Sequence, residues 1–498
     1  MHRFSPNSNL AHLIPWFEWE NEAFAKARAD NKPVMLFLAA FWCRYCQRMD
    51  EQAFSDRENL ALLNAYFVAL RVEDAKRPDI DARYNLNGWP TVAFFTPAGE
   101  LLAAANYLPT EQFKELLLNV YIGYQEKNGD ELTANVTEDN EAVAAIQIKP
   151  ETPTVAALSE IARSIISLAD RQNGGYGRGQ KFIHPDANDF LLSCYESTKD
   201  TIYLDHVRLT LDRMRGSPIY DAKDDGYFRT TTGADWTQPH REKLLAEHAG
   251  LLNNCLRVFR LTGKMEYARS AEEIIGYLDK KLFDPSKPAF LGCEDFLRVE
   301  GETESKTEEF FTIIDDCIYT DANALAVVAY LNAAELLKNS NCQMRALAVL
   351  DFLWRRCKSD LGCLCHFYDG APREPGHLCD QTQVGCALIE AYRSTGDQQF
   401  LEHAKELAEF ILGHLTNPAG GYYDRATCDA GILRSRLTLI EQNGAAASFF
   451  FRLAATTDSA RYHDAGRWAL GAFTTDFAAH GIHVARFGQA LDEFVNRH

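Results

Sequence analysis

The sequence contains no apolar run long enough to cross a bilayer. A membrane-spanning helix needs about 20 predominantly apolar residues, and no window of this chain approaches that length. The N-terminal residues 1–7 also lack the basic segment and following apolar segment of a secretory signal. We therefore expect a cytoplasmic protein with no membrane partner.

Positive charge is also scarce. Lysine and arginine number 51 against 70 aspartate and glutamate residues, which gives a net charge of −19. Binding to nucleic acid or to an anionic membrane surface requires a basic surface that displaces counterions. We therefore expect no nucleic-acid partner, and we expect proteins or small molecules instead.

Cysteine is too sparse for a disulfide framework, with 13 in 498 residues. Most of these cysteines, such as Cys194, Cys255 and Cys386, fall in apolar helical stretches, where cysteine packs as a small core residue. Apolar residues, by contrast, make up 46% of the chain, which is ample for large cores. The length allows two to four globular domains.

One cysteine pair has a different setting. Cys43 and Cys46 lie in Trp42-Cys43-Arg44-Tyr45-Cys46, directly after the apolar run 34–41. A buried strand that delivers such a pair to the start of a helix makes a thiol reactive, because the helix N-terminus favours the thiolate. We predict that Cys43 attacks a substrate disulfide, helped by Arg44, and that Cys46 resolves the mixed disulfide.

The surrounding patterns predict a small α/β domain over residues 1–126. They indicate a helix from about 47 to 65, strands over 67–72 and 91–95, a hairpin closed by the turn at 97–100, and a final helix from about 110 to 125.

These motifs resemble the thioredoxin superfamily over roughly the first quarter of the chain. In that superfamily an X-Pro pair before a strand carries a cis bond that faces the sulfurs, and Trp89-Pro90-Thr91 is its counterpart here. The resemblance implies that Pro90 helps to hold the substrate backbone. Phe37 stands where thioredoxins carry a buried acid. The expected substrate-binding residues are Trp42, Arg44, Tyr45, Trp89 and Pro90.

A C-x-x-C pair can instead be half of a structural zinc site. The other half would be sought among Cys363, Cys365, His366 and Cys379. The strand, tryptophan and proline around Cys43 favour the redox interpretation, and we expect no metal and no cofactor.

The chain changes character after residue 126. Residues 127–152 are polar, acidic and without a clear period, so they are predicted to form a linker. From residue 153 to 498, helical patterns recur at roughly sixty- to seventy-residue spacing, two helices per unit. About six such hairpins predict an all-α (α/α)6 toroid, whose inner helices present their N-terminal ends to a central pocket.

The loop 224–243 contains many side chains that could bind or react with a ligand. Carboxylates, a lysine, an imidazole and aromatic faces together can grip a sugar by stacking and charged hydrogen bonds. A solvated, charge-rich loop is the alternative. The loop contributes Tyr227, Phe228, Arg229, Trp236, His240, Glu242 and Lys243 as candidate pocket residues.

A second resemblance spans nearly the whole chain. The order of the Cys43 segment, Gly88-Trp89-Pro90, Gly174-Gly175-Tyr176-Gly177 and residues 181–185, 219–221 and 236–243 is similar to thioredoxin-like proteins related to spermatogenesis-associated protein. Those proteins fuse a thioredoxin-like domain to a six-hairpin toroid that resembles N-acylglucosamine 2-epimerases and unsaturated glucuronyl hydrolases. The resemblance implies these pocket residues: Lys181, His184, Asp221, Phe228, Trp236, His240, Glu242 and Lys243.

Three functional hypotheses follow. In the first, the protein is a thiol–disulfide oxidoreductase whose partners are a protein disulfide substrate and a thiol reductant, and the toroid binds a substrate or partner. In the second, the toroid processes a sugar-like small molecule, and the thioredoxin-like domain is regulatory. The third is a non-catalytic scaffold.

In the sugar-processing hypothesis, His240 or His248 would shuttle protons in an epimerase, whereas Asp221, Asp225 or Asp321 would serve a hydrolase. Cys365-His366 could also suggest the zinc site of toroidal peptide cyclases. An ordinary hairpin loop is the favoured interpretation of that pair.

Overall fold

The computed structural model describes residues 2–126, 154–298, 310–427, 436–473 and 477–496. It divides into two compact units, one made mostly of residues before 148 and the other mostly of residues after it. The predicted linker, residues 127–152, lies outside the described residues.

The first unit is a four-stranded sheet flanked by helices. Its helices are α1 Asn21–Asp30, α2 Arg44–Glu51, α3 Arg57–Tyr66, α4 Pro78–Tyr84 and α5 Thr110–Glu126. Its strands are β1 Val34–Ala39, β2 Val68–Glu73, β3 Thr91–Phe95 and β4 Leu101–Ala105. The strand order is β2-β1-β3-β4, with β1 parallel to β2 and antiparallel to β3.

Strand β1 is buried on both faces because helices cover the sheet on each side. Successive side chains of a strand point to opposite faces. Met35 and Phe37 accordingly join one apolar cluster, which includes both motif cysteines, and Leu36 and Leu38 join the other. This continuous apolar run is typical of a central strand that is covered on both sides.

The helix expected over 47–65 is two helices. Helix α2 ends at Glu51, and Gln52 leaves the helical conformation with φ −115° and ψ −80°. Asp56 then caps α3, its side chain accepting from the backbone N–H groups of Glu58 and Asn59 at 3.0 Å. An Asp in this position is a strong N-terminal signal, and the apolar pattern that continues across the break concealed it.

The second unit is mainly helical. Its helices are α6 Val155–Ser167, α7 Pro185–Thr198, α8 Thr201–Arg215, α9 Leu245–Thr262, α10 Met265–Tyr277, α11 Thr320–Leu336, α12 Ser340–Arg356, α13 Leu378–Thr395, α14 Gln398–His414, α15 Ile440–Thr457, α16 Ala460–Gly471 and α17 Ala485–Asn496. The connecting strands are β5 Lys181–Phe182, β6 Thr230–Thr231, β7 Pro239–His240, β8 Lys243–Leu244, β9 Phe283–Asp284, β10 Ala289–Phe290, β11 Cys293–Arg298, β12 Phe310–Asp315, β13 Ile318–Tyr319, β14 Cys365–Tyr368 and β15 Pro372–Pro375.

The described helices of this unit close into a ring. Helices α7, α9, α11, α13, α15 and α17 each pack against the next, and α17 packs against α7. Outside them lie α8, α10, α12, α14 and α16, each paired with the inner helix that precedes it, while α6 pairs with α17. This is the predicted (α/α)6 toroid. The first helix of the toroid, α6, ends at Ser167.

A polar side chain at the fourth position of five inner helices binds the loop before that helix. Asn323 and Asn443 each pair with both backbone groups of one residue, Phe290 and Tyr422 respectively, at 2.7–2.9 Å. The residues at this position are Asn188, His248, Asn323, Gln381 and Asn443. Four of them, His248, Asn323, Gln381 and Asn443, satisfy backbone groups that burial would otherwise leave without partners. Asn188 instead accepts from the side-chain hydroxyl of Tyr176 in the preceding loop.

Within the described part of the chain, none of the helices is both long enough and apolar enough to cross a membrane.

Candidate active site

The two cysteines of the motif lie where β1 leads into α2. Cys43 is the N-cap of α2, and Cys46 lies in its first turn. They are joined by a disulfide, with their Cα atoms 5.2 Å apart. The backbone N–H of Cys46 donates to the Sγ of Cys43 at 3.0 Å. A sulfur in this position receives the partial positive charge of the helix N-terminus, an environment that generally stabilises a thiolate.

The disulfide is shielded, and its rim is aromatic and basic. Cys43 and Cys46 are 4% and 3% exposed. Arg44 and Tyr45, the two residues between them, are exposed. The ring of Tyr45 lies 5.1 Å from that of Tyr107, so a substrate that reached the sulfurs would contact aromatic faces.

The proline loop lies beside the motif. The Trp89–Pro90 peptide bond is cis, as the resemblance implied. The ring of Trp89 meets the ring of Trp42 edge-on at 5.1 Å, and its indole N–H donates to Oδ1 of Asp81 at 3.1 Å. Asn106 donates to the carbonyl groups of Gly88 and Pro90 at 3.1 and 3.2 Å. The loop is therefore positioned by α4 and by the residue that follows β4.

A buried acid is present in this unit, although Phe37 takes the place of the usual one. Asp50 lies four residues after Cys46 in α2 and is paired with Arg71 of β2. Burial raises the pKa of Asp50, while Arg71 and the backbone N–H of Ser5 oppose the rise. Sequence reasoning missed this acid because its partner lies 21 positions away.

In the toroid, the two predicted lysines hold loops together. Lys181 and Lys243 are fully buried. The Nζ of Lys181 lies 2.8 Å from Asp170, and the Nζ of Lys243 lies 2.8 Å from Asp221. Lys243 also donates to the backbone carbonyl of Asp225. Both ammonium groups therefore have counter-ions within the protein.

The predicted aromatic residues of the loop 224–243 face the protein interior. Trp236, Tyr227 and Phe228 are 1%, 3% and 5% exposed. Arg229 donates to Glu242 at 2.9 Å. These residues thus shape the loop, and their faces are covered by neighbouring protein.

The three predicted histidines have three environments. His240 is exposed on β7. His184 lines a cavity of about 130 Å³ together with Glu441 and Arg486, and burial lowers its pKa to about 4. His248 is fully buried; its Nε2 accepts from the N–H of Tyr227 at 2.9 Å, and its Nδ1 lies 2.7 Å from a backbone carbonyl.

Carboxyl groups occupy the first turns of five inner helices. They belong to Asp186 of α7, Glu247 of α9, Asp321 of α11, Asp380 of α13 and Glu441 of α15. Burial raises the pKa of Glu247 to about 8 and that of Asp380 to about 6. Neither Glu247 nor Asp380 was among the pocket residues expected from the sequence. Their place in the first turn of inner helices was the signal that could have identified them.

Comparison with known proteins gives a match for the first unit. The family model Thioredox_DsbH, described as a protein of unknown function, DUF255, matches residues 7–146. Residues of this unit are also similar to the thiol:disulfide interchange protein DsbD 1 of Pseudomonas aeruginosa, with 37% identity over 17% of this chain and 16% of that protein.

Two longer relatives align with more of the chain. An uncharacterized protein of Caenorhabditis elegans is 30% identical over 80% of this chain and 62% of its own length. Human spermatogenesis-associated protein 20 is 29% identical over 57% of this chain and 39% of its own length. The chain therefore spans less than two thirds of each relative. The resemblance seen in the sequence is confirmed.

Solved structures match the toroid. The cellobiose 2-epimerase of Bacillus thermoamylovorans superposes with a TM-score of 0.54 at 13% identity, covering 69% of this chain and all of that one. A family 76 glycoside hydrolase, a mannosidase from Bacteroides thetaiotaomicron, gives 0.50 at 10% identity over the same shares. These likenesses confirm the (α/α)6 toroid, and the family match of the first unit confirms the thioredoxin-like domain that precedes it.

Proposed function

We propose that a chain built from a thioredoxin-like domain and an epimerase-like toroid is a thiol–disulfide oxidoreductase. The observation that carries the proposal is the Cys43–Cys46 disulfide at the N-terminus of α2, with Cys43 as the N-cap. The similarity of this unit to a thiol:disulfide interchange protein supports it.

The residues suggest a two-step reaction. The Cys43 thiolate attacks a protein disulfide, forms a mixed disulfide and releases the first substrate thiolate. The thiol of Cys46, deprotonated as it reacts, then attacks the Cys43 sulfur, which releases the second substrate thiolate and closes the Cys43–Cys46 disulfide. Two electrons pass to the substrate, and a dithiol protein donor would restore the reduced pair.

The residues around the sulfurs would bind the substrate. Trp42 and Trp89 lie edge to face beside the motif, and Tyr45 and Arg44 form its exposed rim. Pro90 would hold an extended stretch of substrate backbone. We place this chemistry in the cytoplasm, where disulfides are typically transient and catalytic. The toroid would bind the substrate protein or a partner.

A redox titration of the full chain tests the proposal. In glutathione or dithiothreitol buffers we expect a reversible two-electron couple near the potential of thioredoxin, about −270 mV. Cys43→Ser and Cys46→Ser should abolish it, whereas Cys386→Ser, in the toroid, should leave it unchanged. Cys46→Ser should also trap a mixed disulfide with a model substrate. Absence of a couple, or a couple that survives in Cys43→Ser, would refute the proposal.

A second function, sugar processing in the toroid, is favoured by Glu247. Its carboxyl lies in the first turn of an inner helix, its Oε2 has no hydrogen-bond partner among the described residues, and its raised pKa of about 8 keeps it protonated at neutral pH. Such a group can act as a general acid. Cellobiose and mannose, titrated calorimetrically into wild type and Glu247→Gln, would test this function. No heat of binding from either sugar would contradict it.

A further inference from the structure

Four side chains that can ligate a metal meet inside the toroid. Asp321 is the second residue of α11, His366 lies in β14, and Cys379 and Asp380 are the second and third residues of α13. One ligand atom from each lies within 4.8 Å of all the others. Three separate elements, 59 positions apart at the extremes, therefore contribute to one small volume.

The cluster is held by rigid structure on each side. The side chain of Gln381 pairs with both backbone groups of Leu364, at 2.8 and 3.0 Å, and so fixes the start of α13 to the segment leading into β14. Thr320 donates to the carbonyl of Cys365 at 2.6 Å and fixes α11 to the same segment. Ligands on such anchored elements keep their spacing before a cation arrives.

The imidazole is oriented as in many metal sites. The Nδ1 of His366 lies 3.0 and 3.1 Å from the two oxygens of Asp380, and the ring also hydrogen-bonds the side chain of Cys379. Metal-ligating histidines commonly pair one ring nitrogen with a carboxylate, which fixes the ring for the metal. His366 and Asp380 are buried, whereas Asp321 and Cys379 are half-buried, so an ion could enter from their side.

The charge of the cluster suits a cation. Two carboxylates and a thiol surround a single imidazole. Arg486 interacts electrostatically with Asp321, but its guanidinium lies 2.8 Å from Asp186 and is paired there. Carboxylates that are drawn this close together gain from a positive ion between them.

The donor atoms indicate which cation. Magnesium and calcium take oxygen ligands, whereas sulfur and imidazole nitrogen together suit zinc. Zinc bonds of about 2.0–2.3 Å in a tetrahedron place ligand atoms about 3.3–3.8 Å apart, inside the 4.8 Å limit of this cluster.

We propose that Asp321, His366 and Cys379, with Asp380 as fourth ligand or as partner of His366, bind one zinc ion in the toroid. This site is separate from the Cys43–Cys46 disulfide and does not depend on the proposed redox function. The sequence favours a hairpin loop at Cys365-His366 and predicts no metal, and no sequence pattern connects His366 with Asp321.

The test uses the full chain in a Cys43→Ser/Cys46→Ser background, so that the reduced motif cannot bind zinc itself. Reduced, chelator-treated protein is titrated with zinc in competition with a chromophoric chelator. We expect one zinc per chain, at least a tenfold weaker affinity in Cys379→Ala and Asp321→Asn, and no change in Cys386→Ala. Cys386 lies on the same helix outside the cluster.

Cobalt substitution provides a second measurement. Ligation by Cys379 should give a sulfur-to-cobalt charge-transfer band that is absent in Cys379→Ala and retained in Cys386→Ala. The proposal is overturned if folded protein binds no stoichiometric zinc or if the two cluster variants bind it as tightly as the parent. Equal alkylation of Cys379 with and without zinc would also overturn it, and would indicate a thiol–imidazole–carboxylate triad instead.

Discussion

Asp50 and Arg71 form a bidentate ion pair in the core of the first unit, with both N–O distances at 2.8 Å. Asp50 is 1% exposed and Arg71 is 8% exposed. The guanidinium also lies 4.9 Å from the ring of Phe37, its neighbour across β1 and β2. Phe37, which stands where thioredoxins carry a buried acid, thus packs against Arg71, and Arg71 neutralises the buried Asp50.

Removal of one partner should destabilise this unit strongly. Arg71→Met leaves a buried carboxylate without its counter-ion, and breaking such a pair costs about 3–5 kcal/mol. Denaturant unfolding, followed by hydrogen exchange at the amides of β1 and β2, measures the loss. Lys114→Met removes the surface pairs with Glu58 and Glu111 and should change stability little. If the two variants lose the same free energy of unfolding, the buried pair contributes no more to stability than a surface pair does.

His248 should be replaceable by asparagine but not by alanine. Its Nε2 accepts the N–H of Tyr227, and Asn443 accepts the N–H of Tyr422 from the corresponding position of α15. His248→Ala leaves a buried donor unsatisfied, at a cost of about 1–3 kcal/mol. His248→Asn should keep most of the stability. Equal losses in the two variants, measured by chemical unfolding, would contradict this role.

The same histidine should make the fold sensitive to acid. Burial lowers the pKa of His248 to about 3 in the folded chain, from an ordinary value of 6.5. Between these values the unfolded chain binds a proton that the folded chain does not, so stability is full above pH 6.5 and falls as the pH drops toward 3. His248→Asn should flatten this part of the stability curve relative to wild type. Parallel curves would show that other groups dominate.

Glu247 predicts the opposite pH dependence. Burial raises its folded pKa to about 8, from 4.5, so the folded chain keeps a proton that the unfolded chain releases. The contribution of Glu247 to the free energy of unfolding is therefore full below pH 4.5 and is lost as the pH rises toward 8. A tenfold change in proton affinity is worth about 1.4 kcal/mol. Glu247→Gln should therefore gain stability over wild type between pH 5 and 8, whereas Glu266→Gln, on the exposed surface of α10, should not.

Two glycines of one loop allow the cost of a left-handed backbone conformation to be measured separately from the cost of a steric clash. Gly175 and Gly177 both have positive φ, +66° and +74°, but a Cβ on Gly175 would lie 2.5 Å from the ring of Trp236, whereas a Cβ on Gly177 would meet open space. Gly177→Ala should cost about 1–2 kcal/mol from the left-handed backbone alone. Gly175→Ala should cost about 1–3 kcal/mol more through overpacking. Thermal unfolding compares the two, and equal losses would exclude the clash with Trp236.

The sequence alone predicts the features that are local or repeated. The Cys43–Cys46 pair is recognisable because it directly follows an apolar strand pattern. The six hairpins are recognisable because their helical patterns recur at a regular spacing. The pairing of Asp50 with Arg71 was not predictable, because nothing local links a helix carboxylate to a strand 21 residues on. His366 and Cys379 were considered as zinc ligands, but together with Cys43 and Cys46, and Asp321 was not connected with them. The packing of the neighbouring inner helices α11 and α13 brings these residues together with β14, which lies between the two helices in the chain.

The polar side chains at the fourth position of five inner helices affect how the loops of this toroid can vary in sequence. Each of these side chains bonds its helix to the preceding loop, as Gln381 does for Leu364 and Asn443 does for Tyr422. Each of these helices and the loop before it therefore form one hydrogen-bonded unit. The tip of a loop can therefore change in sequence or length while its base stays bonded to the helix, so the ring can keep its architecture as its loops diverge.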